Sequence, residues 1–134
     1  MKAVFADTFY FLALLNPADD AHKAALSAPL SDYGKVITSA WVLIEVADAL
    51  SFPPNRSVFL NLLSKLKNNP HVVIVSPDQH FYDSGLVRFS QRLDKEWSLT
   101  DCISFIIMEQ NEISDALTGD SHFGQAGFSV LLKG

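Results

Sequence analysis

Short apolar runs rich in β-branched residues alternate with helical patterns along the whole chain, and that alternation admits few folds. Ala3 to Ala6 reads as a buried first strand, Lys35-Val36-Ile37-Thr38 as a second, His71 to Val75 as a third, Ile113 to Thr118 as a fourth and Phe128 to Leu132 as a fifth. Helices fill the gaps. Thr8 to Leu15 and Ala18 to Ala28 occupy the first; Ala40 to Leu50 and Ser57 to Asn68 occupy the second, joined by the breaker Ser51-Phe52-Pro53-Pro54-Asn55. Pro77 opens a helix running through Phe89 to about Leu93, and Thr100 or Asp101 starts another that ends near Asn111. Strands separated by helices of this length pair in parallel, and a parallel sheet needs cover on both faces. The expected fold is therefore α/β, a three-layer α/β/α sandwich with a central parallel sheet of about five strands. The chain has 134 residues, 49% of them hydrophobic, which suffices for one well-formed core and not for two. Residues 1–134 are expected to form a single domain, with no repeat, low-complexity tract or linker.

Charge and cysteine content narrow the function. Fifteen Asp and Glu against ten Lys and Arg give a formal charge of −5, the wrong sign for a protein that grips nucleic acid through a broad basic surface. A nuclease with a carboxylate cluster is still compatible with it, because the cluster supplies much of the excess and bound divalent ions offset it locally. The single cysteine, Cys102, excludes an internal disulfide framework and a thiolate metal cluster; it points to a packing role and a reducing, cytoplasmic setting. Lys2 followed by the apolar stretch Phe9 to Leu15 superficially resembles a secretion signal. Asp7 interrupts it, and no small-x-small cleavage pattern follows Asn16-Pro17, so it reads as core strand and helix. No apolar run approaches the length of a membrane span, and the expectation is a soluble protein without a membrane partner.

Four acids stand apart from the rest. Asp7 closes the run Ala3-Val4-Phe5-Ala6; Glu45 is embedded in Trp41-Val42-Leu43-Ile44-Glu45-Val46-Ala47; Asp101 opens the stretch Cys102 to Met108; Asp120 follows Ala116-Leu117-Thr118-Gly119. A carboxylate beside so much apolar surface is costly to desolvate unless something positive neutralises it. No Lys or Arg adjoins any of the four, so a hard divalent cation held by oxygen ligands is the economical partner. The expected fold gives them one address. In an open parallel sheet, ligands sit beyond the carboxyl ends of the strands. Asp7 and Asp120 fall at two such ends, Asp101 lies in the first turn of a helix, and Glu45 is about two turns into the helix that Ser39 is placed to cap. Singly, Asp101 reads as an ordinary capping carboxylate and Asp7 and Asp120 as strand-end turn residues. Glu45, among Leu43, Ile44, Val46 and Ala47, is harder to dismiss. The coincidence of four is what points to a metal-dependent nuclease site.

The segments Phe5-Ala6-Asp7-Thr8, Ser39-Ala40-Trp41-Val42-Leu43-Ile44-Glu45-Val46, Trp97-Ser98-Leu99-Thr100-Asp101-Cys102-Ile103-Ser104-Phe105 and Leu117-Thr118-Gly119-Asp120-Ser121-His122-Phe123, followed by Ala126-Gly127-Phe128, resemble a PIN domain in order, spacing and flanks. The third and fourth are the most specific. The resemblance implies a Mg²⁺- or Mn²⁺-dependent endoribonuclease, most similar to the VapC toxins of prokaryotic toxin-antitoxin pairs. It carries the catalytic role to Asp7, Glu45, Asp101 and Asp120, with Asp7, Asp101 and Asp120 as candidate metal residues. Within that set, Asp7 and Asp101 are assigned as direct ligands. Glu45 and Asp120 are expected to act through water, orient the nucleophile or hold a second ion. Thr8 and Thr118 are supporting hydroxyls near the site water. Phe9 departs from the pattern, standing where many members have a small polar residue, which leaves hydroxyl assistance after the first acid to Thr8. Hydrolysis by metal-activated water should leave a 5′-phosphate and a 3′-hydroxyl.

The other polar residues are weighed as follows. His22, His71, His80 and His122 are scattered, without the i, i+4 spacing of a zinc site, and read as surface or loop residues; His122, two after Asp120, is placed to pack on the Phe123 loop or to touch substrate. Arg88, Arg92 and Lys95 are the cations available to hold RNA phosphates, and Trp97 reads as core more readily than as a stacking platform. Apolar helix residues such as Phe11, Leu14, Phe59, Leu62 and Leu63 mostly form core, while some are available for a dimer seam or a partner peptide. The expected partners are an RNA substrate, single-stranded or structured, a small antitoxin protein and a second copy of the chain. Two rivals fit less well. A phosphorylation receiver needs an acidic pair after its first strand and a lysine with a helix beyond after its last, whereas Asp7 stands alone and Lys133 is followed only by Gly134. A haloacid-dehalogenase-type phosphatase needs a second aspartate where Phe9 stands. The remaining alternative is a catalytically silent or housekeeping PIN-fold protein serving as an RNA- or protein-binding module.

Overall fold

A computed structural model describes residues 2–132. Lys133, weighed above as a receiver lysine, lies outside the described residues. Five strands, β1 (Ala3–Ala6), β2 (Lys35–Ser39), β3 (Val72–Val75), β4 (Asp115–Leu117) and β5 (Ser129–Val130), form one sheet in the order β3-β2-β1-β4-β5, every pairing parallel. The most deeply buried strand is central: Val4, Phe5 and Ala6 of β1 are wholly buried, as a strand covered on both faces requires. Phe5 sits opposite Ile37 on one side and Ala116 on the other.

The helices are α1 (Thr8–Leu15), α2 (His22–Leu26), α3 (Ala40–Ala49), α4 (Pro53–Asn68), α5 (Gln79–Gln91), α6 (Leu99–Gln110) and α7 (Ser121–Gln125), with a short 3₁₀ turn at Leu30–Asp32. Right-handed crossovers carry α1 to α4 over one face as the chain steps from β1 to β3. They carry α5 to α7 over the other as it returns to β4 and β5. This is the three-layer α/β/α sandwich expected from the pattern. Its strand order reverses between β1 and β4, which opens a crevice at their carboxyl ends.

Several boundaries differ from the sequence reading, each for a local reason. The segment taken as a breaker is the start of α4: Pro53 and Pro54 occupy its first turn, where no backbone N–H is needed. α2 is only five residues long, because Asn16 and Asp19 use their side chains to cap turns at Ala18 and Ala21. α5 starts at Gln79 with Asp78 as its cap, two residues after Pro77. β4 and β5 are shorter than the apolar runs containing them, and α7 lies between them. The sequence signal for α7 was present: Asp120 caps its N-terminus, and Gly127, at φ 99°, closes its C-terminus. There Phe128 N–H donates to the Phe123 carbonyl and Gly127 N–H to that of Gly124, a Schellman motif.

Candidate metal centre

β1 delivers Asp7 to the crevice. Its backbone N–H continues the sheet ladder by donating to the Leu117 carbonyl at 3.2 Å, and its side chain is 4% exposed. Although Asp7 precedes α1 as the N-cap residue, its carboxylate makes no capping bond. It accepts instead from the buried Thr118 hydroxyl at 2.9 Å, and that same hydroxyl accepts the Asp120 N–H at 3.1 Å. Thr118 thus ties the acid after β1 to the acid after β4. On the other side of β1, the Thr38 hydroxyl donates to the Ala6 carbonyl at 2.9 Å and fixes the strand end next to Asp7.

Asp101 is N3 of α6 and completes a capping box with Ser98, so the capping reading of this residue is correct. It does more than cap. Only 7% exposed, its Oδ2 also meets His122 Nδ1 at 3.0 Å. Asp120 accepts the His122 N–H at 2.9 Å as the cap of α7, and its Oδ1 lies 3.4 Å from the same ring nitrogen. One ligand-capable atom from each of Asp101, Asp120 and His122 falls within 4.8 Å of the other two. Glu45, on α3 capped by Ser39 as expected, reaches back to the first acid's neighbour: the Thr8 hydroxyl donates to Glu45 Oε1 at 2.6 Å. Both supporting threonines therefore spend their hydroxyls on acids of the site.

An aromatic stack beneath α6 and α7 holds this arrangement. Phe105 meets Trp97 and Phe123 edge-on at centroid distances of 5.1 and 5.0 Å, and Phe123 stacks on Phe5 of β1 at 6.5 Å. Trp97 is core, 5% exposed, with its indole N–H donating to Gln125 of α7 at 3.0 Å.

The electrostatics are those of carboxylates lacking a cation. Burial pushes the Asp7 carboxyl up to about 7; Thr118 and the Thr8 backbone N–H pull it down, and Asp101 and Asp120 add to the rise. Burial also raises Asp101, against the Ser98 N–H and the His122 ring, which lower it. Among the described residues, no Lys or Arg pairs with any of the four acids. Buried oxygen donors in close approach are the donor chemistry a hard divalent ion requires. The cations picked out for RNA are otherwise engaged. Arg88 makes a bidentate pair with Glu109, and Arg92 pairs with Asp94 while lying 5.1 Å from the Trp97 ring centre; Lys95 lies 5.9 Å from the same ring. His22 and His80 bond the Ala13 carbonyl and Gln110, away from the acids. His122 is the site residue the sequence reading left among surface and loop positions.

A five-stranded parallel sheet covered on both faces, with this strand order, is a PIN-like α/β/α fold, as the sequence resemblance implies. Among solved structures, the chain is similar to Mycobacterium tuberculosis VapC20, a sarcin-ricin loop cleaving toxin, at 24% identity and a TM-score of 0.88 over 97% of this chain and 99% of that one. It is similar to FitAcB from Neisseria gonorrhoeae at 21% identity and a TM-score of 0.62, covering 96% of each chain. FitAB bound to an IR36 DNA fragment matches at 19% identity and a TM-score of 0.62, over 95% and 92% of the two chains. Neither a protein-family model nor a curated protein matches the sequence.

Proposed function

We propose that the chain is a metal-dependent endoribonuclease and the toxin of a toxin-antitoxin pair. The observation that carries this reading is the joining of Asp7, Asp101 and Asp120 at the carboxyl ends of β1 and β4, two of them nearly buried and none paired with a Lys or Arg among the described residues. The fold shared with a sarcin-ricin loop cleaving toxin supports RNA as the substrate.

Asp7, Asp101 and Asp120 would hold Mg²⁺ or Mn²⁺, which when bound would supply an activated water and polarise the scissile phosphate. Thr118 fixes Asp7 relative to Asp120. Ser98 and His122 fix one oxygen of Asp101. Glu45, held by Thr8, is placed to orient the attacking water and take its proton. Lys95, beside Trp97, would meet RNA phosphates directly, whereas Arg88 and Arg92 would first have to release Glu109 and Asp94. As partners we propose a second copy of the chain and a small antitoxin. For the antitoxin, the groove lined by Leu12, Leu15, Ala49, Leu50 and Val58 together with the polar Asn16, Asp19 and Asn55 suits an amphipathic helix.

Cleavage of single-stranded RNA should stop with chelator and return with Mg²⁺ or Mn²⁺, and Asp101→Ala should be inactive in both conditions. Product ends decide the chemistry. A 5′-phosphate and 3′-hydroxyl are expected, and a 2′,3′-cyclic phosphate would refute the mechanism because it requires the ribose hydroxyl as nucleophile.

A further inference from the structure

His122 is the one nitrogen donor in a site otherwise built of oxygen. Its backbone is fixed because its N–H donates to Asp120 Oδ1 and the next residue, Phe123, is wholly buried in the aromatic stack. From that anchor the ring, with a quarter of its side chain exposed, sets Nδ1 3.0 Å from Asp101 Oδ2 and 3.4 Å from Asp120 Oδ1. For an ion about 2.1 Å from each ligand, neighbouring octahedral positions lie about 3 Å apart. The nitrogen therefore already stands at coordination spacing from two carboxylate oxygens. In the neutral tautomer protonated on Nδ1, that N–H donates to Asp101. The other neutral tautomer, with the proton on Nε2, turns an Nδ1 lone pair toward the same point.

We infer that His122 is a direct nitrogen ligand to the divalent ion, beside Asp101 and Asp120, and that it biases the centre toward Mn²⁺ and away from Mg²⁺. This rests on the metal-site reading above and adds to it both a ligand and a metal preference. Imidazole nitrogen suits the later transition ions best; Mn²⁺, though mainly an oxygen-ligand ion, accepts a nitrogen at lower cost than Mg²⁺, which parts reluctantly with water. An all-carboxylate centre would lack that bias.

Pulsed EPR of the full-length chain loaded with substoichiometric Mn²⁺ tests the assignment. The wild-type protein should show the hyperfine coupling of a directly bound ¹⁴N, replaced by ¹⁵N coupling when the chain is made with ¹⁵N-histidine, an arm that needs no substitution. His122→Ala and His122→Asn, checked for folding by circular dichroism, should lose the coupling. Calorimetric titration of His122→Ala should show Mn²⁺ affinity falling roughly tenfold or more while Mg²⁺ affinity moves less than about threefold. Bound Mn²⁺ without nitrogen coupling in the wild-type chain would overturn the inference and leave the metal site standing, with His122 only a hydrogen-bond partner of Asp101. Equal loss of Mg²⁺ and Mn²⁺ affinity would overturn the metal preference. Failure of the wild-type chain to bind Mn²⁺ at all would overturn the site reading as well.

Discussion

Asp7 carries a carboxyl that titrates near 3.8 in an unfolded chain and at about 7 in the metal-free fold. A raised value means that the folded state holds this proton more tightly than the unfolded state. The associated stability is complete below about pH 4 and is lost as pH rises through 7, a span worth about 4 kcal/mol by linkage. Asp101 moves in the same direction and adds to the slope. In chelator, the melting temperature should therefore fall between pH 4 and pH 7.5. Asp7→Asn, which keeps an acceptor for the Thr118 hydroxyl and removes the charge, should flatten that fall, melting higher than wild type at pH 7.5 and close to it near pH 4. Because an ion needs the deprotonated carboxylate, added Mn²⁺ should stabilise the wild-type chain more at pH 7.5 than at pH 5.5, and Asp7→Asn should bind it more weakly. Unchanged Mn²⁺ affinity in that variant, measured by calorimetric titration, would count against a shared site.

α6 is the element that brings Asp101 to the crevice, and its depth is set by Gly85 of α5. A Cβ at Gly85 would stand 2.4 Å from Ile103 Cγ1 and 3.2 Å from the Ile103 Cα and N, so α6 cannot keep its place against even one added methyl. Gly85→Ala should destabilise the fold by roughly 1–3 kcal/mol despite alanine's better helix propensity, and denaturant titration reads the difference directly. Equal or greater stability would mean that α5 and α6 are packed less closely than described. This contact also shows what the sequence could and could not reveal. Periodicity placed α5 and α6, and the apolar character of Ala3 to Ala6 marked a buried first strand, because both signals are local. Nothing local says that Gly85 faces Ile103, or that the Thr118 hydroxyl reaches Asp7 across 111 residues of chain. The acids were legible because each sits where an apolar segment ends or a helix begins, or, like Glu45, within an apolar stretch. His122 was not, since a histidine in the polar stretch Gly119-Asp120-Ser121-His122 looks like any turn residue until α7 turns its ring toward Asp101. The ion pair of Arg88 with Glu109 on the neighbouring helix α6 was likewise not legible, since the two lie 21 residues apart.

For the whole molecule, the charge of −5 and the uncompensated acids at one sheet edge make the site attractive to a basic side chain as well as to a metal ion. An Arg presented on a partner peptide can pair with carboxylates in bidentate fashion and exclude the ion, which is a simple way to restrain a nuclease. The apolar surface needed to hold such a peptide lies on α1, α3 and α4, where Leu12, Leu15, Ala49, Leu50 and Val58 line a groove and Phe52 and Leu60 are well exposed nearby. Expression of the wild-type chain alone should arrest bacterial growth, and Asp101→Ala should not. If the native host carries a small gene beside this one, its coexpression should restore growth and yield a complex that binds Mn²⁺ at least tenfold more weakly than the free chain, as competition for the same carboxylates requires. Replacing Leu50 and Leu60 with Asp should release the partner and restore toxicity, because Leu50 lines this groove and Leu60 the adjoining one, and charges there oppose docking of an apolar face without touching the acids. A wild-type chain harmless at high expression, with no small partner copurifying from its native host, would remove the toxin assignment while leaving the nuclease to be judged by its RNA products.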